Sequence, residues 1–453
     1  MAGSERDGKG TTRSYDAVIV GGSLAGCATA MMLGRAGVRV AVVEKSPDPA
    51  AFKRMCSHFI QASAVPTLER LDLVGPMVDA GAQRSRFRMR TRWGWIQTPP
   101  PGRAALAINL RREKLDPLIR EQAASTPGVE VLLGQTVREL RRSGGKVTGV
   151  VARDRDGVET VIEAVLTIGA DGRDSSIAEL SGVKVKTRPH GRIAYGGYFE
   201  GASPQGSPDA AVWMMDPEWA AAFPTDSGLT FYAAMATKDR ADEFKADPHG
   251  ALVDYFEALP EAPSLRGAKL TEPGVLGKVD MTNRERTLTA PGLALVGDAG
   301  LAIDPLFGVG CGWAFQSAEW LGDAVAPALR GEEELETGLR RYRRRHARQL
   351  RGHAFMIHDY STGRKQSAAE RLIFSGAARD PRVASVFDAF GARQIGPARM
   401  MATGMPLAAV VNARYALGRR RGMTGPTAAP TPVGDPGRVD GAEQVGVGAE
   451  KAA

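Results

Sequence analysis

The most constraining feature of this 453-residue chain is residues 15–45, YDAVIVGGSLAGCATAMMLGRAGVRVAVVEK. Apolar residues 15–20 predict a buried parallel strand, and residues 38–44 predict a second strand after an intervening helix. Gly21 permits a sharp bend between the first strand and the helix, and Gly26 lets the helix lie close to that strand. The segment therefore predicts the strand–turn–helix–strand unit that begins a parallel α/β domain.

The turn in this unit is suited to a diphosphate, because the free N–H groups and the dipole of the following helix favour an anion above it. The predicted contacts are Gly21, Gly22, Ser23, Leu24, Ala25 and Gly26. Glu44 ends the second strand, where a carboxylate accepts both hydroxyls of an adenosine ribose, and Lys45 follows it. This is the G-x-G-x-x-G pattern of a Rossmann-like dinucleotide-binding domain, with Ser23 in place of the middle glycine.

Two later stretches end buried strands with a glycine and an acid. In residues 165–173, VLTIGADGR, Asp171 and Gly172 are predicted at the same sheet edge as the first turn. Residues 293–299, LALVGDA, place Asp298 at a comparable position. The loop that follows contains Pro305, Gly308, Val309 and Gly310 before a helix, so backbone N–H groups and a positive helix end meet there and favour an anionic ring edge.

Further candidate contacts lie between these motifs. Ligands of open α/β sheets bind in the crevice outside the carboxyl ends of the strands. Residues 52–61 leave the second strand and return over this crevice, so Arg54 is expected to reach phosphate or ribityl oxygens. His58 either approaches a bound ring or is an ordinary packed histidine. Arg112 begins a helix and is predicted to pair with the diphosphate, and Val137 is a further predicted cofactor contact.

The tryptophans Trp93 and Trp95 alternate in a predicted strand and therefore share one face. They either line an apolar substrate pocket or pack in the core.

Composition limits the other classes of function. The 59 Lys and Arg against 51 Asp and Glu give a net charge of +8, but the excess is concentrated at residues 340–351 and 419–421 without stacking aromatics. A solvated helix face is favoured there over a nucleic-acid site. Cys27, Cys56 and Cys311 are far apart and lack C-x-x-C spacing, so neither a disulfide framework nor a metal site is indicated. The uncharged residues 17–34 are interpreted as buried core and not a membrane span, and a cytoplasmic location is expected.

Together, the three motifs resemble those of the p-hydroxybenzoate hydroxylase-type FAD-dependent monooxygenases, in the right order over most of residues 15–330. The resemblance implies that Glu44 binds the adenosine ribose, that Arg112 and Asp171 lie near the diphosphate, and that Asp298 holds the ribityl chain. It also places residues 305–310 along the flavin ring and matches Arg54 to an arginine of many members. Gly300 departs from the pattern, because many members have a histidine there.

The resemblance also implies the activity and the domain arrangement. NADPH or NADH and O2 would be co-substrates in hydroxylating or epoxidising an apolar, aromatic or polyketide-like small molecule, with His58 as the candidate catalytic residue. The expected fold is α/β: a Rossmann-like FAD-binding domain (residues 15–189, with strands 85–110 facing the cleft, and 286–330), an inserted β-rich substrate domain (190–285) and C-terminal helices (331–418). Residues 1–14 and 419–453 are expected to be disordered.

Three alternatives stay open. A flavin-dependent halogenase shares the fold, and Trp93-Gly94-Trp95-Ile96 partly echoes its W-x-W-x-I-P mark, out of phase and without the proline. A geranylgeranyl reductase-like alkene reductase has a loop similar to residues 304–308. The third alternative is of a different class: a non-catalytic flavoprotein, or a nucleic-acid binder that would use the basic residues 340–351. The oligomeric state is open.

Overall fold

The protein is described by a computed structural model that covers residues 11–96, 106–204 and 209–420. In chain order the strands are β1 (Thr11–Val20), β2 (Val40–Glu44), β3 (Phe59–Ile60), β4 (Gln83–Ser85), β5 (Phe87–Thr91), β6 (Gly94–Trp95), β7 (Ala107–Asn109), β8 (Val129–Leu133), β9 (Thr136–Ser143), β10 (Lys146–Arg153), β11 (Glu159–Gly169), β12 (Val185–Arg188), β13 (Ala194–Glu200), β14 (Ala210–Met214), β15 (Trp219–Pro224), β16 (Leu229–Met235), β17 (Lys269–Leu270), β18 (Leu276–Lys278), β19 (Asn283–Arg286), β20 (Thr289–Ala290), β21 (Leu293–Leu295) and β22 (Leu301–Ala302). The helices are α1 (Leu24–Arg35), α2 (Val65–Arg70), α3 (Val74–Asp79), α4 (Arg112–Ala124), α5 (Ser176–Ser181), α6 (Ala241–Ala246), α7 (Pro248–Glu257), α8 (Val309–Leu329), α9 (Leu335–Tyr360), α10 (Ala368–Ala377), α11 (Pro381–Gly391), α12 (Pro397–Arg399) and α13 (Met405–Arg420), with a π-helical turn, Met400–Gly404, between the last two.

The first sheet has the parallel order β8-β2-β1-β11-β21, which is the 3-2-1-4-5 order of a Rossmann-like domain. Alternate residues of β1 serve different layers: Ala17 and Ile19 pack in the core that contains α1 and α8, whereas Val18 and Val20 pack against β9, β10 and α5. The sheet is therefore buried on both faces, which explains the continuous apolar run in its sequence. The predicted α/β fold class is confirmed.

Both predictions of terminal disorder were too wide. Strand β1 begins at Thr11 and pairs with β11 from Thr160 onward, so residues 11–14 are ordered by a ladder that continues the sheet. Helix α13 extends through Arg420, so the prediction is also wrong for residues 419–420. Residues 1–10 and 421–453 lie outside the described part of the chain.

The second sheet has the order β17-β13-β16-β15-β14-β5-β6, with β18 also paired to β13. Successive side chains of β16 alternate between the two faces of this sheet. Phe231, Ala233 and Met235 face the core of the first domain, whereas Tyr232 and Ala234 face α6 and α7. One face of this sheet thus forms a wall against the cofactor-binding domain.

The structure corrects the expected extent of this sheet. Strand β5 pairs in parallel with β14, from Phe87 opposite Ala210 to Thr91 opposite Met214, so residues 87–95 belong to the second sheet and not to the first domain. A parallel partner 123 residues away along the chain leaves no local sequence signal. The neighbouring strands β4 and β7 instead form a small sheet with β3.

The C-terminal part is helical, as expected for residues 331–418. Helix α9 is attached to the first sheet by Tyr342, whose buried hydroxyl donates to the carbonyl oxygen of Leu295 in β21 at 2.7 Å. Across the described ranges, the helices include none that combines the length and the apolar character needed to cross a membrane.

Candidate cofactor and substrate site

The turn after β1 can only be made from glycine. Gly21 has a φ of +109°, and a Cβ atom there would lie 2.6 Å from the carbonyl oxygen of Ala170. A Cβ atom on Gly26 would lie 1.8 Å from the carbonyl oxygen of Gly21. Helix α1 therefore packs directly against the turn. The N–H groups of its first residues have no partner within the helix and are available to a ligand above the turn.

Glu44 lies beside this turn at the end of β2. Its Oε2 accepts the N–H of Gly22 at 2.7 Å, and its Oε1 accepts the N–H of Ser46 at 2.9 Å. These bonds fix the carboxylate at the rim of the crevice. Lys45 next to it is exposed, and Val137 is buried at the start of β9, in the layer that also contains Val43 of β2.

Arg112 joins the turn to α4. Its guanidinium donates to Ser23 Oγ at 2.7 Å and to Asp116 Oδ1, one helical turn further on, at 2.8 Å. Burial alone would lower the pKa of Arg112, but the Asp116 carboxylate raises this pKa above its ordinary value. A fixed positive charge is thus held at the position where a diphosphate is expected.

Asp298 is contacted by Lys53 and not by Arg54. The Lys53 ammonium lies 3.5 Å from Asp298 Oδ2, and this carboxylate raises the pKa of Lys53. The backbone N–H of Lys53 donates to Asp116 Oδ2 at 2.9 Å, which directs the segment across the crevice. Arg54 is exposed and forms no side-chain hydrogen bond with the residues that the structure describes. The contact of Arg54 with phosphate or ribityl oxygens stays a prediction.

Asp171 has a structural task in addition to its position near the turn. Its Cα would lie 3.1 Å from a Cβ on Gly21, so the predicted proximity to the first motif is present. Its carboxylate also accepts the N–H of Ile177 and the hydroxyl of Ser176, both at 3.0 Å, and thereby organises the start of α5. Gly172 has a φ of +84°, which turns the chain away from the sheet edge.

A buried ionic cluster fixes the start of the loop of residues 305–310. This cluster was not predicted from the sequence. Asp304 accepts the backbone N–H of Leu306 at 2.7 Å and bonds to His190 Nε2 at 2.6 Å, and Arg192 lies 3.5 Å away. Burial would raise the pKa of Asp304, but His190 and Arg192 hold this pKa below its ordinary value. His190 and Asp304 are 114 residues apart and carry no shared pattern.

A row of aromatic side chains lies between this loop and the second sheet. We call it the aromatic seam: Phe59, Phe87, Phe223 and Phe307, whose neighbouring ring centroids are 5.1 to 6.2 Å apart. Gln61 fixes one side of it by donating to the carbonyl oxygens of Phe307 and of Gly391, at 3.0 and 2.9 Å. A small cavity beside the seam is lined also by Asp388 of α11, and burial raises the pKa of this carboxyl to about 6.

His58 is buried next to the seam, with a φ of 45°. The hydroxyl of Tyr198 lies 2.9 Å from its Nε2, and the edge of Phe231 packs at a centroid distance of 5.7 Å. His58 and Tyr198 therefore form a hydrogen-bonded pair beside the aromatic seam. Tyr198 was not identified from the sequence, although the alternation in β13 places it on the inner face.

The expectation that Trp93 and Trp95 share a face is wrong. Residues 92 and 93 form a tight turn, so Trp93 packs on the core side, whereas Trp95 packs edge-on to Trp213 on the side covered by α7. The Trp95 indole N–H donates to Glu261 at 2.6 Å. Trp95 thus lies on the face of the sheet opposite the aromatic seam.

Two cysteines meet in the crevice although they are 255 residues apart. The Sγ atoms of Cys56 and Cys311 lie 3.6 Å apart, and Arg112 NH1 is 3.6 Å from the Cys56 sulfur. Within the described ranges, no group of three or more His, Cys, Asp or Glu residues is arranged to hold a metal ion.

These residues fit an FAD molecule. A turn that admits only glycine, an open helix end, a cation at Ser23 and a carboxylate at the end of β2 are the donor set of a dinucleotide diphosphate and ribose. The site therefore defines a dinucleotide-binding protein. More specifically, the chain belongs to the FAD binding domain family, whose pattern matches residues 14–354. This match confirms the resemblance to the wider flavin monooxygenase superfamily and the prediction that FAD is the bound cofactor.

The chain is similar to flavoenzymes of several activities. It is 26% identical over 347 residues to a tryptophan 2-halogenase of Chondromyces crocatus, covering 72% of this chain and 64% of that protein. It is 28% identical to digeranylgeranylglycerophospholipid reductase 2 of Methanothermobacter thermautotrophicus, covering 70% and 78%. It is 28% identical to kynurenine 3-monooxygenase of Salinispora tropica, covering 68% and 72%.

Solved structures show the same fold. The flavin-dependent brominase Bmp2 superposes with a TM-score of 0.72 at 17% identity, covering 90% of this chain and 100% of that one. This agreement extends beyond the cofactor-binding sheet to most of the described chain.

Proposed function

We propose that the protein is an FAD-dependent monooxygenase that uses NADPH or NADH and O2 to hydroxylate or epoxidise an apolar, aromatic or polyketide-like small molecule. The observation that carries the proposal is the aromatic seam, which separates the loop of residues 305–310 from the second sheet. Oxygen transfer requires a site that excludes water and orients a flat apolar substrate, and packed aromatic rings beside the loop support a site of this kind.

The residues of the crevice would hold the cofactor at one end of this space. Ser23 and Arg112 would bind the diphosphate, Glu44 the ribose, and Asp298 with Lys53 the ribityl chain. FAD bound there would supply the redox chemistry by which electrons from the nicotinamide activate O2, so that one oxygen atom of O2 enters the product and the other leaves as water. His58 and Tyr198, hydrogen-bonded to each other on the wall, would orient a polar group of the substrate or hold a proton.

The relatives include a halogenase and a reductase as well as a monooxygenase, so the test must separate three products. Purified protein would be incubated with FAD, NADPH or NADH, air and bromide, together with indoles, phenols, aminoaromatic acids and isoprenoid alkenes. Product mass distinguishes the reactions: a monooxygenase adds one oxygen atom, a halogenase replaces hydrogen by bromine, and a reductase adds two hydrogen atoms. Oxygen-18 gas would then label the product of the monooxygenase only.

A variant pair tests the role of the seam. Phe87→Ala opens the seam, so we expect less oxygenated product per NAD(P)H oxidised and more hydrogen peroxide, by about tenfold. Phe355→Ala is the matched control, because Phe355 is 63% exposed on α9. Brominated or hydrogenated products without any oxygenated product would overturn the proposal, as would equal coupling in the two variants.

A further inference from the structure

The pair Cys56 and Cys311 lies where the core of the first domain meets the crevice: Cys311 is buried in that core, and Cys56 packs against it beside Arg112. Cys56 belongs to the irregular segment that crosses the crevice after β2, and Cys311 belongs to the first turn of α8, directly after the loop of residues 305–310. Their sulfur atoms are 3.6 Å apart. A disulfide needs a separation of about 2 Å, so the sulfurs would have to approach by roughly 1.6 Å. The segment around Cys56 has no regular secondary structure to resist this movement.

The surroundings of the two sulfurs are unequal. The Cys56 sulfur accepts the N–H of His58 at 3.3 Å and lies 3.6 Å from the Arg112 guanidinium. The hydrogen bond with Cys311, opposed by burial, and the charges of Arg112 and Lys53 hold the pKa of Cys56 well below that of an ordinary thiol. The pKa of Cys311 is raised by the same hydrogen bond and by burial. One sulfur is thus suited to be a thiolate nucleophile and the other to be the neutral thiol beside it.

We propose that Cys56 and Cys311 form a redox-active dithiol site that takes hydrogen peroxide or an alkyl hydroperoxide as its oxidant and closes to a disulfide across the cofactor crevice. Cys56 is the attacking residue and Cys311 the resolving residue. The supporting geometry is the sulfur–sulfur distance and the cation beside Cys56, and the Cys56 residue is only partly buried whereas Cys311 is buried.

The reaction has two steps. The Cys56 thiolate attacks one oxygen of the peroxide, the O–O bond breaks, the sulfur becomes a sulfenic acid, and the other oxygen leaves with a proton as water or an alcohol. The Cys311 sulfur then attacks the Cys56 sulfur, the S–O bond breaks, and the oxygen leaves as water with the Cys311 proton. In total the two thiols lose two electrons and two protons, and the peroxide is reduced to two waters or to one alcohol and one water.

The third cysteine is a natural control. Cys27 lies in α1, fully buried, and burial raises the pKa of its thiol to about 12. Among the residues that the structure describes, Cys27 is not paired with another cysteine. Peroxide should therefore leave Cys27 reduced under conditions that oxidise the pair.

The test maps thiols in the complete protein, both FAD-free and FAD-loaded. Reduced protein is treated with hydrogen peroxide, the remaining thiols are alkylated after denaturation, and peptides are analysed by mass spectrometry without reduction. We expect a cross-linked peptide joining Cys56 to Cys311, loss of two hydrogen atoms from the intact mass, and alkylated Cys27. The oxidation of Cys56 should be about tenfold or more faster than that of Cys27.

Variants assign the order of events. In Cys311→Ser the reaction should stop at a sulfenic acid on Cys56, which a cyclic diketone probe traps, whereas in Cys56→Ser the thiol of Cys311 should stay reduced. Cys27→Ser should behave as the unmodified protein does. The proposal is overturned if the unmodified protein keeps both thiols, if Cys27 oxidises at the same rate, or if Cys311→Ser gives no sulfenic acid.

A peroxide source within the protein itself would rest on the proposed oxygen chemistry, but this test adds the peroxide. Failure of one proposal is therefore distinguishable from failure of the other. Thiol mapping of the protein without substitutions is decisive by itself. The proposal can therefore be tested even if a variant fails to fold.

Discussion

At the scale of single residues, Asp298 has a carboxylate that the fold reserves for the crevice. Its partner is the exposed Lys53 ammonium at 3.5 Å, a contact that a ligand can replace without leaving a buried charge unpaired. Asp298→Ala should therefore lower FAD affinity by about tenfold or more, because a hydrogen bond to a charged group is lost. Flavin absorbance relative to protein absorbance after gel filtration measures the effect. Asp242→Asn, on the exposed side of α6, should keep full occupancy, and full occupancy in Asp298→Ala would contradict the assignment.

Asp388 gives a pH-dependent expectation. Burial raises the pKa of this carboxyl to about 6, because the folded state disfavours its charged form. The contribution of Asp388 to the free energy of unfolding is therefore lost as pH rises from about 4 through 6. Asp388→Asn removes the penalty. The free energy of unfolding should increase by about 1 to 2 kcal/mol at pH 7.5, after allowance for partial solvent screening, and by less at pH 5. Denaturant unfolding at both pH values measures this, and an equal gain at the two would show that the carboxyl titrates normally.

At the scale of elements, the turn between β15 and β16 is joined to the start of α4 by a buried ion cluster. Asp226 is fully buried and accepts from Arg111 at 2.9 Å, with the Lys114 ammonium 3.0 Å away. Burial would raise its pKa, but these cations hold the pKa of Asp226 below its ordinary value. The second sheet is thereby fastened to the same helix that carries Arg112.

Breaking this cluster should loosen the contact between the two sheets. Asp226→Asn should lower the free energy of unfolding by roughly 3 kcal/mol at neutral pH, because two cations lose a buried partner. The difference should shrink as pH falls below about 4, because Asp226 becomes protonated first in the unfolded chain, while the folded state still holds it charged, and the difference is lost once the folded carboxylate is protonated as well. Chemical denaturation followed by tryptophan fluorescence measures it. The exposed pair of Asp254 with Arg266 supplies the control, and Asp254→Asn should cost at most about 1 kcal/mol.

The same elements show what the sequence could predict. The turn at Gly21 and Gly26 and the carboxylate of Glu44 were predictable, because each depends on spacing within one strand–helix–strand unit. The pairing of Arg112 with Asp116 follows the i, i+4 geometry of a helix and was within reach. The contact of Lys53 with Asp298 spans 245 residues, and its choice over Arg54 depends on how the crossing segment is directed by Asp116. Such contacts are set by tertiary packing and have no local pattern.

At the scale of the whole molecule, three of the seven arginines in the basic residues 340–351 are paired with acidic side chains. In α9, Arg341 pairs with Glu333, Arg343 with Glu336 and Arg345 with Asp323. We therefore expect only weak binding to duplex DNA, with a dissociation constant above about 10 µM near physiological salt. Fluorescence anisotropy of a labelled duplex at low and moderate salt measures it. Tight binding that falls steeply with salt and persists without FAD would favour a nucleic-acid role.

The parallel pairing of β5 with β14 has a consequence for how this molecule can be divided. The second sheet, which faces the loop of residues 305–310, combines two separate parts of the chain. Strand β5 comes before β8, the third strand of the first sheet, and β14 comes after β11, its fourth strand. A fragment of residues 190–285 would lack β5 and would expose the edge of β14. Exposed strand edges promote aggregation. Exchange of the second sheet between related enzymes must therefore transfer two separate pieces of the gene together.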